Sequence, residues 1–86
     1  MNLFVKTKSL KFDNQEVLVK EVGVNYLLLD EETKQDTKKV LQLHTNLSDE
    51  QVDNLSIEAF NHILNEFYKL NEIHFSQDNK GEDGGK

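Results

Sequence analysis

Between residues 6 and 22 apolar and polar side chains alternate, and this period-2 pattern predicts a β-hairpin. Leu10 and Phe12 alternate with Ser9 and Lys11. The polar run Asp13-Asn14-Gln15-Glu16 is able to turn, and Val17-Leu18-Val19 resumes the pattern. Leu10 and Phe12 then share a face of the first strand, and Val17 and Val19 a face of the second. Asn tolerates the positive φ that tight hairpin turns use. A bare hairpin is marginal in water, so this one must pack on something else. Gly23, the only glycine before the C-terminal tail, reads as the end of the second strand. Val24–Leu29 is apolar apart from Asn25 and too short to show a period. It reads as a third strand or as a helical turn.

Further on the period becomes helical. Residues 30–44 read as one helix, with Asp30, Glu31 and Glu32 at its start and Lys34, Lys38 and Lys39 later, an order that complements the helix dipole. Its apolar patch is short: Val40, Leu41 and Leu43, joined by Leu47 beyond it. Ser48-Asp49-Glu50-Gln51 has the form of a capping box ahead of a short helix over 49–54. Ser56 offers a second N-cap for the longest helix, 57–70. At about 100° per residue, Phe60, Ile63, Leu64 and Phe67 form the centre of an apolar arc about 160° wide, flanked by Ile57, Tyr68 and Leu70. The centre is expected to be core. Such an arc is wider than one packed face needs, so a flank is expected to serve a partner. Asn71 interrupts the arc and reads as a left-handed C-cap.

The pattern therefore predicts an α+β fold: an N-terminal β-hairpin packed on two to three helices, the longest C-terminal. One small domain should span 1–75. Residues 76–86 contain no apolar side chain and three of the four glycines, and read as a disordered polar tail. The 86 residues leave no room for a second core.

Charge narrows the function classes. Residues 1–43 hold seven Lys and seven Asp or Glu, whereas 44–86 hold three Lys and nine Asp or Glu, so the net charge of −6 lies entirely in the second half. Arginine is absent, which argues against nucleic acid as a partner, since Arg makes the bidentate phosphate and guanine contacts. The longest apolar run, Tyr26–Leu29, is far short of a membrane span. Met1–Lys6 lacks the pattern of a signal peptide. The expectation is a soluble, cytoplasmic protein.

Candidate chemistry is sparse. The chain has no cysteine for a disulfide, a thiolate metal site or a nucleophile. His44, His62 and His74 have no second ligand at metal spacing beyond the flanking Glu58 and Glu66 of His62, which read as a solvated polar face. Ser48 and Ser56 are explained as caps. No cofactor site and no catalytic residue is expected, and the chain reads as a non-enzyme. The remaining candidates are apolar residues at the edges of the elements: Tyr26, Tyr68, Leu70, Ile73 and Phe75. They are expected to form a partner surface, or else to complete the small core.

The order of elements resembles the small tail assembly chaperones of tailed bacteriophages, including the short E-type tail proteins of contractile-tail phages. The likeness lies in a Lys-rich strand Lys6–Phe12, a polar turn Asp13–Glu16, and a second strand Val17-Leu18-Val19-Lys20-Glu21-Val22. A Leu-rich segment Val40–Asn46, the stretch Leu47–Ser56 and the final apolar helix Ile57–Leu70 complete it. Many members carry Arg or Lys followed by Pro after the second strand, where this chain has Val22-Gly23-Val24-Asn25. The resemblance implies a protein of the host cytoplasm that binds the apolar tape-measure protein and keeps it soluble until tail-tube subunits polymerise around it. It also implies a longer form made by ribosomal frameshift that engages the tail-tube protein, and leaves self-association open. The alternative reading is a small acidic regulatory or inhibitor module that occupies a basic surface of a host protein.

Overall fold

The computed structural model describes residues 3–75. The predicted tail, 76–86, lies outside the described residues.

Strands β1 (Thr7–Phe12) and β2 (Gln15–Lys20) pair antiparallel, with Leu10 opposite Val17 and Phe12 opposite Gln15. The turn is tighter than the polar tetrad suggests. Only Asp13 and Asn14 make it, and Gln15 and Glu16 already belong to β2. No described residue has a positive φ, so the turn does not use the left-handed conformation that Asn tolerates. Of the predicted inward set, Leu10, Val17 and Val19 are buried and Phe12 is half-buried.

Among the described residues five helices follow: α1 (Val24–Leu27), α2 (Glu31–Lys34), α3 (Thr37–Leu43), α4 (Asp49–Asp53) and α5 (Ile57–Leu70). Residues 24–29 thus begin as helix. Gly23 does not end the strand but stands at the N-cap of α1, three residues beyond β2. The single helix expected over 30–44 is two. Asp30 accepts the Thr33 N–H at 2.8 Å and starts α2; Asp36 accepts the Lys39 N–H at 3.1 Å and starts α3. A side chain that satisfies the free amides of a new first turn ends the old helix as it opens the next. The Ser48–Gln51 capping box forms in both directions, and Ser56 caps α5 through the Ala59 N–H. Both helices begin at the expected residues.

One apolar core joins these pieces. Leu10, Val17 and Val19 from the hairpin meet Val40 and Leu41 from α3, Leu47, Val52 from α4, and Ile63 and Phe67 from α5. The arc on α5 is buried more narrowly than expected. Ile63 and Phe67 are fully enclosed, whereas Phe60 and Leu64, also expected as core, are half-buried at its margin. The enclosed stripe runs Ile63–Phe67–Asn71, four residues apart, the spacing that stacks side chains on one helix face.

Asn71 is the main departure on this helix. Its φ of −105° and ψ of 19° are not left-handed. Its side chain is wholly buried, donates Nδ2–H to the Phe67 carbonyl at 2.9 Å and accepts the Val22 N–H at 2.7 Å. It joins the end of α5 to the chain just beyond β2. A further helical turn follows at 72–75. The outer edge of β2 is closed by residues 44–46. Lys20 N–H donates to the His44 carbonyl at 2.8 Å, and the Asn46 side chain accepts from Leu18 N–H and donates to the Glu16 carbonyl.

Candidate functional site

The five residues expected as a partner surface divide. Tyr26 on α1 is half-buried, its ring centroid 6.1 Å from both His44 and Phe75. Phe75 is half-buried too, 6.0 Å from Phe67 and 6.0 Å from Tyr68. These rings fasten α1 to the end of α5, and the Lys34 ammonium stands 5.5 Å from the Tyr26 centroid. Tyr26 and Phe75 are therefore structural contacts in the first instance. Leu70 is half-buried against the core. Tyr68 and Ile73 remain well exposed.

The larger apolar surface lies elsewhere. On α1 and its C-cap, Val24, Leu27 and Leu28 are 71%, 70% and 77% exposed. They stand at i, i+3 and i+4, so they share one helix face. The N-terminal segment adds Leu3 and Phe4, both at least 80% exposed, and Val5. An open groove of about 360 Å³ between the two is lined by Val5, Gly23, Val24, Leu29 and Leu43, with Lys20 and Glu21 at its side. Val5 seats directly on Gly23: a Cβ at position 23 would stand 2.8 Å from Val5 Cγ1. A second groove of about 380 Å³ carries Leu27, Val22 and Tyr26 on to His74 and Phe75. A four-residue helix has too little length to present a polar outer face to water and an apolar inner one to a core. The i, i+3, i+4 spacing is visible in the sequence, but nothing in it says whether the run is a helix.

Glu21 holds the two ends of this surface together. One carboxylate oxygen accepts the Lys6 N–H at 2.9 Å, and the other meets His74 Nε2 at 3.0 Å. These bonds, His74 first, hold the Glu21 carboxyl below the ordinary glutamate range. Glu66 is held low as well, chiefly by the Lys8 ammonium at 2.6 Å. For both groups the folded state favours the charged form. Their stabilisation is complete above the ordinary glutamate value of about 4.3 and is lost as pH falls through the lower folded values. Urea midpoints measured downward from pH 7 should therefore hold steady and then drop below pH of about 4.3. In Glu66→Gln that drop should be shallower.

The histidines and serines occupy structural positions. His44 is buried and its Nδ1–H donates to the Val40 carbonyl at 2.8 Å. His62 stands edge-on to the Phe12 ring, while its neighbour Glu66 is engaged by Lys8 and Lys69. No group of three metal-ligating side chains occurs among the described residues. No described helix is long and apolar enough to cross a membrane.

Compared with protein-family models, with curated proteins and with solved structures, the chain matches none.

Proposed function

We propose that this protein is a non-enzymatic tail assembly chaperone, working in the host cytoplasm, that holds an apolar segment of a phage tape-measure protein on the face made by α1 and the N-terminal segment. The observation that carries this reading is the exposure of Val24, Leu27 and Leu28 together on one helix face, with Val5 of the exposed N-terminal segment seated on Gly23 at the start of that helix. A contiguous exposed apolar surface marks an interaction site in a small protein. Apolar contact is non-directional, so such a face suits a partner that offers many similar apolar stretches. The net charge of −6 keeps the complex soluble through mutual repulsion. No reaction is needed for release: polymerising tail-tube subunits compete for the same apolar surface of the tape-measure protein. Tyr68, which packs on Phe75 of the second groove, and the exposed Ile73 extend the contact.

Co-expression with a tape-measure fragment tests the proposal. The wild-type chain should carry the fragment into the soluble fraction and co-purify with it. The double substitution Leu27→Ser with Leu28→Ser should abolish this and change folding stability by no more than about 0.5 kcal/mol, because neither side chain is buried. Capture that survives the double substitution would place the site elsewhere. Failure to capture any tape-measure fragment, with retention of a basic host protein instead, would favour the acidic regulatory module.

A further inference from the structure

The two edges of the hairpin are finished differently. On β2 the outward groups are taken: Leu18 N–H by Asn46 Oδ1 at 3.0 Å, and Lys20 N–H by the His44 carbonyl at 2.8 Å. These bonds also fix the phase of the ladder. Leu18 and Lys20 point away from β1, so their partners Ser9 and Thr7 form non-hydrogen-bonded pairs with them and turn their own N–H and C=O outward. Lys11, two residues on, does the same. Thr7, Ser9 and Lys11 are exposed, and their backbone groups have no partner among the described residues. β1 is an open edge.

We infer that β1 pairs antiparallel with β1 of a second copy, joining two hairpins into one four-stranded sheet. Charge placement along the strand suits a second copy and restricts its register. A two-fold axis at Thr7, Lys8 or Lys11 would set Lys6 against Lys8, Lys8 against Lys8, or Lys11 against Lys11, and like charges directly opposite destabilise a sheet. An axis at Phe12 would overlap little but the turn. An axis at Ser9 or Leu10 sets each lysine of the strand against Thr, Ser, Leu or Phe and aligns the outward groups of Ser9 and Lys11 for bonding. Edge lysines ordinarily discourage such pairing. Here the Lys8 ammonium is already held by Glu66, and Lys11 lies across from Glu16 of its own copy.

Sedimentation velocity and amide hydrogen exchange on the full chain test the inference. A concentration-dependent monomer–dimer equilibrium is expected, in which the Thr7, Ser9 and Lys11 amides gain protection as the dimer fills. Ser9→Pro removes one outward N–H and leaves the β1–β2 ladder whole, because the Ser9 N–H takes no part in it. It should weaken association about tenfold or more while the Leu10 and Phe12 amides stay protected. Lys11→Pro removes a different outward N–H and serves if Ser9→Pro disturbs the hairpin. A chain that stays monomeric at every accessible concentration, with the three amides exchanging freely, would overturn the inference. So would a dimer indifferent to both proline variants. Edge protection that appears only on adding a tape-measure fragment would also overturn it, and would make the occupant a partner's strand.

Discussion

Phe67→Ala should leave the protein largely unfolded at 25 °C. Phe67 is only 2% exposed and lies in the enclosed stripe of α5, between the hairpin core and the aromatic cluster that fastens α1. Its ring centroid is 5.5 Å from His44, 5.8 Å from Tyr68 and 6.0 Å from Phe75. Truncation removes the transfer free energy of a whole ring and opens a cavity between elements that cannot all close on it, a cost of about 3–5 kcal/mol. Small domains have about 5 kcal/mol at the low end of their stability range, so little would remain. Tyr68→Ala is the contrasting measurement. Tyr68 is 46% exposed and its ring meets Phe67 and Phe75 from the outside of the cluster, so its loss should cost about 1 kcal/mol. If chemical denaturation finds the two variants equally unstable, the aromatic cluster rather than the stripe is the centre of the fold.

The second large effect is expected at Asn71. Asn71→Leu keeps the same branched heavy-atom skeleton but is bulkier and cannot accept the Val22 N–H, which is then left in a partly buried site without a partner. The Phe67 carbonyl keeps the Asn71 backbone N–H at 3.0 Å, so only one group is orphaned. An unsatisfied buried donor costs about 1–3 kcal/mol, and imperfect packing of the branched side chain puts the expectation at the upper end. Asn71→Asp restores the acceptor but buries a carboxylate. Desolvation raises the pKa of such a group in the folded state, so this variant should be more stable at low pH and lose stability as pH rises. Denaturation curves at pH 4 and pH 7 would distinguish the two causes. Equal stability of Asn71→Leu and wild type would mean that the Val22 amide finds water instead.

Features determined by near neighbours in the chain are legible in the sequence. The hairpin follows from the alternation around Leu10 and Val17. The start of α5 follows from Ser56, whose hydroxyl binds an amide three residues away whatever the rest of the chain does. Asp36 caps α3 just as locally, yet the order of charges over 30–44 masks it, because acids first and bases later suit one continuous helix as well as two. Asn71 is not legible in this way. The same residue caps a helix in solvent or bonds a distant strand end in a core, and only the approach of Val22 decides. The partner surface is legible only in part, for the same reason. Tyr26 and Phe75 look like edge aromatics until α1 folds against α5, whereas the run Val24–Leu29 shows neither strand nor helix in its pattern until α1 forms and leaves Leu27 and Leu28 exposed.

The two-residue turn of the hairpin and the short links between successive helices bear on how quickly the protein is ready for use. Short loops cost little closure entropy, and chains rich in local contacts fold in microseconds to milliseconds. The slowest event should be the docking of α5 on the hairpin, sealed where Asn71 meets Val22 across 49 residues of chain. A ribosome adds about 5–20 residues per second. A chain that completes its fold within milliseconds of release is therefore folded before any protein still being synthesised beside it has lengthened by one residue. Its supply would be limited by translation, never by folding.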